Sequence, residues 1–241
     1  MSERDLPRTA SAGGGPVTYD ATLERIEEIA PETRSFCLRL PPASAFTFTP
    51  GQFISCLLPI GRQTVIRPYS LASSPEELGT LEICLNLVPN GPGSHYLFGL
   101  DVGARLRFTG PWGTFRLAQA PGAECVFIAA GTGIAPIRPM LRRALAPDAP
   151  YAVRLHYAAT DALHLLYAGE FEAAARAHPR FTFAPLLGAA LAEHIEYRYV
   201  RADNDRSRHF YLCGVGDIVP QLRDLLRRAG YERRAVQYEK W

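Results

Sequence analysis

The run Glu124–Ala130 is apolar at almost every position, and Gly131-Thr132-Gly133 follows it directly. A strand without polar alternation is buried on both faces, which happens in parallel sheets covered by helices. The residues after the glycines, 134–145, carry apolar groups at helical spacing. A glycine turn between such a strand and a helix leaves backbone N–H groups aimed at whatever lies beyond the strand end. The pattern then repeats as strand 152–157, helix 163–177, strand 181–187, strand 209–213, helix 218–229 and strand 235–238. This alternation predicts a C-terminal α/β domain with a parallel sheet. The stretch 188–208 is poorly patterned, with a short helix expected somewhere in it.

Before Pro121-Gly122 the rhythm is different. Strand signals fall at 19–29, 33–40, 53–59, 66–72, 80–87 and 105–109, cut by Pro and Gly, with a short helix at 94–100. Ser35-Phe36-Cys37-Leu38-Arg39-Leu40 and Leu81-Glu82-Ile83-Cys84-Leu85 alternate as half-buried strands do. Many short strands at this spacing predict an antiparallel β-barrel. The chain has 241 residues, enough for two domains. The expected division is a flexible tail over 1–16, a barrel over 17–120 and the α/β domain over 121–241. The tail is rich in Gly, Ser, Pro and charge, too poor in apolar groups to order itself.

Composition removes several classes of function. A net charge of +2 is too small for a nucleic-acid footprint. Five cysteines, none in a C-x-x-C pair, fit neither a disulfide framework nor an iron–sulfur site, and no metal is expected. No apolar run is long enough for a membrane span, and no secretory signal is visible. A cytoplasmic location is expected.

Five local patterns carry chemistry. In Arg67-Pro68-Tyr69-Ser70 a strand puts Arg67 and Tyr69 on one face. A guanidinium there offers a planar fork to a diphosphate, and a tyrosine two residues on offers a flat ring for stacking. Gly91-Pro92-Gly93-Ser94 lets the backbone approach a ligand closely, with Ser94 as the expected helix cap facing a phosphate. Gly131-Thr132-Gly133-Ile134-Ala135-Pro136 has the strand–turn–helix context that a dinucleotide-binding turn requires, as a variant in which Pro136 replaces the third glycine. Cys213-Gly214-Val215-Gly216-Asp217 closes a later strand at the carboxyl edge of the sheet, where open α/β sheets bind ligands. Finally, strand 235–238 runs straight into Glu239-Lys240-Trp241, which suggests a docked terminal ring.

In this order the five patterns resemble the ferredoxin–NADP reductase superfamily, over nearly the whole chain after the tail. The resemblance implies an FAD-binding barrel joined to a nicotinamide-nucleotide domain. Arg67 would bind the FAD pyrophosphate, Tyr69 would stack on the isoalloxazine, and Ser70 would hydrogen-bond near flavin N5. Gly91, Gly93 and Ser94 look like the family's phosphate-binding G-x-x-S, and Gly110-Pro111-Trp112-Gly113-Thr114-Phe115 like the close of its barrel. Gly131 to Pro136 is similar to its nucleotide turn, with Thr132 near the nicotinamide. Cys213-Gly214 looks like its pair beside the reacting centre. Glu239 and Trp241 match its terminal acid-x-aromatic, with Ser70 and Glu239 implied to handle a proton and Trp241 to cover the flavin.

Members that prefer NADPH carry an arginine just past the second strand of the nucleotide domain. Here that stretch reads Tyr157-Ala158-Ala159-Thr160-Asp161. Asp161 is expected to repel a 2′-phosphate and bind a free ribose, which favours NADH; Arg198, Arg201, Arg206 or Arg208 is the alternative phosphate clamp. The implied reaction carries hydride from NADH or NADPH to FAD, then electrons to a separate acceptor, ferredoxin or flavodoxin. The alternatives are the reductase component of a multicomponent oxygenase and, from another class, a non-catalytic nucleotide-binding electron-transfer subunit. No ferredoxin domain is fused to the sequence, so the acceptor is expected to be external.

Overall fold

The computed structural model describes residues 16–117, 124–147, 149, 151–188 and 190–241. The expected tail over 1–16 (all but Pro16) and the expected boundary near 120–122 lie outside them. Six strands come first: β1 (Thr18–Ala30), β2 (Thr33–Arg39), β3 (Phe53–Ile60), β4 (Gln63–Ser70), β5 (Thr80–Asn86) and β6 (Arg105–Trp112). They pair antiparallel in the order β4-β3-β6-β1-β2-β5. A bridge from Leu71 to Ile83 joins the two ends of that order and rolls the sheet into a barrel. Leu23, Phe36, Leu38, Ile54, Leu58 and Phe108 fill its interior. Each such side chain contributes about 1.5–3 kcal/mol by leaving water. One short helix, α1 (Pro92–Phe98), opens on Gly91 with proline at its first turn.

Strands β2 and β5 were expected to be half-buried, but both are buried on both faces. The apolar positions of the alternation, Phe36, Leu38, Leu81 and Ile83, point into the barrel. The other set, Ser35, Cys37, Glu82 and Cys84, is also buried. Cys84, Ala30, Ala72 and Phe115 belong to the same apolar cluster as the first helices of the second domain. Glu82 and Cys84 therefore face a domain seam rather than solvent, while Cys37 packs by Glu24 of β1.

The second sheet is parallel and five-stranded. Its members are β7 (Glu124–Ala130), β8 (Ala152–Ala159), β9 (Phe181–Leu187), β10 (His209–Gly214) and β11 (Val236–Lys240), in the order β11-β10-β7-β8-β9. Helices α2 (Ile134–Ala144) and α3 (Ala168–Ala177) cover one face, and α4 (Leu191–Glu196) and α5 (Ile218–Arg228) the other. Strand order reverses between β7 and β10, so their carboxyl ends open the crevice where such sheets take ligands. The predicted helix 163–177 is broken: Ala162–His164 is a 3-10 turn, and Tyr167 takes φ +57° before α3 begins. The unpatterned stretch holds α4 and a single π-helical turn, Tyr197–Arg201, which buries Tyr199. Among the described residues no helix is long and apolar enough to cross a membrane.

Candidate functional site

Strand β4 ends at the domain seam and carries Arg67, Pro68, Tyr69 and Ser70 to one wall of a cavity of about 330 Å³. The facing wall comes from Gly91, Gly93 and Ser94, and the floor from Thr132 and Trp241. Arg67 is exposed, and its Nη1 donates only to the carbonyl of Ile66, at 2.8 Å. Among the described residues it has no acidic partner, so its fork is available to an anion. Burial raises the Tyr69 phenol well above its usual range, which keeps the ring neutral. A Cβ on Gly93 would lie 2.8 Å from Arg67 Cγ and 3.2 Å from Tyr69 Oη, so only glycine lets α1 lie so close to this strand.

Ser94 differs from expectation. Gly91 is the N-cap, and no side chain caps the helix. Ser94 lies inside the first turn, where its Oγ accepts from Val88 N–H and donates to the Gly91 carbonyl, both at 3.0 Å. The hydroxyl therefore ties the 88–91 turn together. A helix cap must be the last residue with extended backbone, and here that is Gly91, φ −81° and ψ 102°.

The nucleotide turn sits against the end of β10. Gly131–Gly133 forms one 3-10 turn leading into α2, with Pro136 buried in the first turn of that helix. Gly133 packs so closely on Cys213 and Gly214 that a Cβ would fall 2.3 Å from the Cys213 carbonyl oxygen. Cys213 is fully buried, and desolvation with the neighbouring Glu239 charge pushes its thiol up, which favours the neutral form. Gly214 accepts a backbone hydrogen bond from Trp241 N–H at 3.3 Å, which fixes the chain end beside the turn.

The terminal residues close the cavity from the third side. The Trp241 ring meets Phe53 edge-on, with centroids 5.4 Å apart. The Ser70 hydroxyl donates to Glu239 Oε2 at 3.3 Å, across the two domains. Burial raises the Glu239 carboxyl to about 7, against the opposing hydrogen bonds from Ser70 and Trp241. A carboxyl there exchanges a proton near neutral pH, beside a serine hydroxyl and a stacking wall.

A second space of about 500 Å³ continues from the first, sharing Asn86, Thr132 and Val215 with it. It runs over Gly131, Thr160 and His164 at the carboxyl ends of β7 and β8. Asp161 does not line it. Its Oδ1 accepts from Leu163 N–H at 2.9 Å and His164 N–H at 3.2 Å, and lies 2.7 Å from His164 Nδ1. These bonds hold the carboxyl below its usual range. Asp161 Oδ1 thus caps this turn, and His164, which it holds, lines the cleft. Of the alternative phosphate clamps, Arg206 donates to the carbonyls of Ala229 and Tyr199, and Arg208 pairs with Glu124 and Asp203. Glu124 begins β7, so these arginines bind the amino ends of the sheet, opposite the crevice. Arg201 pairs with Glu196, and Arg198 lies by the Tyr199 ring. Cys84, Asn86, Val88 and His164 line the cleft although no sequence motif marked them. Asn86 and Val88 bracket the end of β5 just before the glycine turn, which is the signal that pointed their way.

A diphosphate, a flat tricyclic ring and a ribitol chain fit this donor set: an unpaired fork, a neutral phenol ring, a hydroxyl, and a glycine-lined turn. Residues 20–117 match the profile of the oxidoreductase FAD-binding domain, and 127–223 that of the oxidoreductase NAD-binding domain. The fold and cleft thus define a two-domain flavin- and nicotinamide-nucleotide-dependent oxidoreductase. The chain belongs to the ferredoxin–NADP reductase family. It is 30% identical over 237 residues to ferredoxin–NADP reductase B of Sorangium cellulosum, covering 92% of this chain and 97% of that protein. It is 35% identical over 197 residues to the aromatic O-demethylase reductase subunit of Amycolatopsis, covering 78% of this chain but only 57% of that one. The solved Amycolatopsis cytochrome P450 reductase superposes with a TM-score of 0.82 at 29% identity, over 99% of this chain and 73% of that chain. A Neisseria gonorrhoeae ferredoxin–NADP reductase with bound FAD and NADP shares the fold, with a TM-score of 0.78 at 20% identity over 92% and 98% of the two chains.

Proposed function

We propose that this chain is an NADH-oxidising FAD reductase that delivers electrons to a separate, acidic electron-carrier protein such as a ferredoxin or flavodoxin. The observation that carries the proposal is the continuous cleft joining the Arg67–Ser70 strand end to the Gly131–Gly133 turn across the domain seam. When bound, FAD supplies the chemistry of taking hydride from a nicotinamide and releasing electrons onward. Arg67 holds the diphosphate with its free fork, and Tyr69 stacks on the ring system. The helix-opening turn at Gly131–Gly133 receives the nucleotide pyrophosphate on its N–H groups. Ser70 and Glu239 hold a proton at the edge of the ring system. Trp241 shields that face from water until a nicotinamide takes its place.

NADH is favoured because, among the described residues, neither lysine nor arginine lines the cleft beyond Thr132, where a 2′-phosphate would need one. An acidic acceptor is supported by a concave surface of about 580 Å³ on the outer edge of the second sheet. Arg227, Arg233 and Arg234 line it, between Thr114 of the barrel and Tyr238 of β11. Such a surface steers an acidic protein at an ionic-strength-dependent rate. We place the protein in the cytoplasm on the same basis, as a partner of such carriers. The likeness to a glycine betaine monooxygenase reductase subunit and a toluate 1,2-dioxygenase electron transfer component supports a second acceptor, an oxygenase component.

The test is NADH-driven reduction of ferredoxin, flavodoxin and cytochrome c by the FAD-loaded chain over a range of salt. Reduction of an acidic carrier that slows steeply with salt supports the proposal. Failure to reduce any of the three refutes it.

A further inference from the structure

A buried ionic cluster crosses the domain seam at a place the cleft chemistry does not use. Glu82, on β5 of the barrel, accepts from the Ser35 hydroxyl and the Tyr167 hydroxyl, both at 2.7 Å on Oε1. Its Oε2 accepts from Arg138 Nη1 at 2.8 Å. Arg138 comes from α2 of the nucleotide domain. The same Nη1 donates to the Ala72 carbonyl at 3.1 Å, while Nε donates to Glu170 of α3 at 2.7 Å. The guanidinium lies over the Tyr167 ring, 4.1 Å from its centroid. Tyr167 reaches this position with a left-handed backbone, φ +57°, a conformation that residues with a side chain rarely adopt. The Arg138 and Glu82 side chains are each 11% exposed. Despite its burial, the Arg138 charge and the hydrogen bonds from Ser35 and Tyr167 hold the Glu82 carboxyl below its usual range.

Stability alone does not account for such a cluster. Replacing a buried ion pair with apolar groups of similar volume is often neutral or stabilising, because desolvation offsets the attraction. The seam around it is already apolar, with Ala30, Ala72 and Cys84 of the barrel packed among residues of α2. Apolar faces hold two domains together but resist sliding weakly, whereas a fork with three directed acceptors defines one relative placement. Its anchor points matter for the cleft. Ala72 follows Ser70 by two residues, and Cys84, which lines the cavity, follows Glu82 by two. Arg138 stands on the helix that starts at the nucleotide turn. One guanidinium, carried on the helix that follows the nucleotide turn, therefore bonds the Ala72 carbonyl just past the end of β4 and the Glu82 side chain inside β5, the two strands that form the flavin wall.

We propose that Arg138, Glu82 and Tyr167 form a positioning clamp that sets the distance between the nucleotide turn and the flavin strand. It acts on hydride transfer and leaves the binding of either cofactor alone. The proposal rests on the flavin reductase function above. The test compares FAD-loaded wild type with Arg138→Met, Glu82→Gln and Tyr167→Phe in anaerobic stopped-flow mixing with NADH. Two signals are read: the limiting rate of flavin bleaching, and the long-wavelength absorbance that appears when nicotinamide and flavin rings stack. Arg138→Met is expected to lower the limiting rate by on the order of tenfold to a hundredfold, the penalty of an ångström-scale misplacement. The stacking absorbance should fall with it, while the half-saturating NADH concentration and FAD content stay as in wild type. Arg138→Lys should recover part of both signals. Tyr167→Phe keeps the volume and loses one hydrogen bond, so it decides the matter if Arg138→Met does not fold. Wild-type rates and stacking absorbance in the folded variants would overturn the clamp, as would losses confined to FAD retention or NADH half-saturation. A wild type that never bleaches would instead overturn the reductase function itself.

Discussion

Alanine at Gly133 tests whether the nucleotide turn must sit where it does. Gly133 has φ −61°, so an alanine there costs nothing in backbone conformation. Its Cβ, however, would lie 2.3 Å from the Cys213 oxygen, 2.5 Å from its carbonyl carbon and 2.6 Å from Gly214 N. All three are backbone atoms at the end of β10, which is paired on both sides, and cannot swing aside. Ordinary contact starts at 3.4 Å, so the turn must retreat from β10 by about 1 Å (3.4 − 2.3). Overpacking of this kind costs about 1–3 kcal/mol. At roughly 2–4 °C per kcal/mol for a chain of this size, the melting temperature should fall by about 2–12 °C. A 1 Å retreat of the nicotinamide end should slow flavin reduction on the order of a hundredfold. Gly131→Ala is the control. Gly131 has φ +55° and nothing within 4 Å of a Cβ, so that variant bears only the left-handed cost of about 1–2 kcal/mol. Differential scanning calorimetry and single-turnover reduction by NADH measure both. Equal reduction rates in the two variants would refute the packing argument.

Arg67→Ala should lose bound FAD. A charge-assisted hydrogen bond contributes about 1.5–3 kcal/mol, so affinity should drop by roughly tenfold to a hundredfold, read by flavin release on gel filtration and by calorimetry. Trp241→Ala should tighten nicotinamide binding and narrow the difference between NADH and NADPH; unchanged constants in a difference-spectrum titration would remove its covering role. Glu239 has a carboxyl at about 7 in the folded chain against 4.5 unperturbed. The folded chain therefore keeps a proton that the unfolded chain releases, so stability declines as pH rises through this window and stays reduced above it. Glu239→Gln should accordingly melt higher than wild type at about pH 8 and gain far less at about pH 5, and an inflection near neutrality in the wild-type reduction rate should vanish in the variant.

The α/β half was legible because its signals are local. Glu124–Ala130 is as apolar as a strand buried on both faces must be, and its bounds match the structure. The glycine turn and the terminal tryptophan also lie where their sequence context put them, at the crevice. What sequence patterning missed depends on contacts distant along the chain. Alternation in β2 and β5 signals one buried face, and nothing local tells that the nucleotide domain covers the other. Glu82 reads as a solvent-facing charge until Arg138, 56 residues away, is seen beside it. Asp161 carries a capping role that its sequence context did not show, because an acid after the second strand suits either a ribose or a turn cap. The nearby N–H groups of Leu163 and His164 decide for the cap, a competition that short polar side chains often enter. Ser94 was misassigned by three residues, since proline at the first helical position moves the start of α1 upstream.

An anaerobic titration of the FAD-loaded protein with NADH and then NADPH, following the flavin absorbance band, tests the central claim most directly. Bleaching complete at one equivalent of NADH, with NADPH slower, is the predicted result. A flavin that stays oxidised with both nucleotides, or a chain that takes up no FAD, would contradict the account.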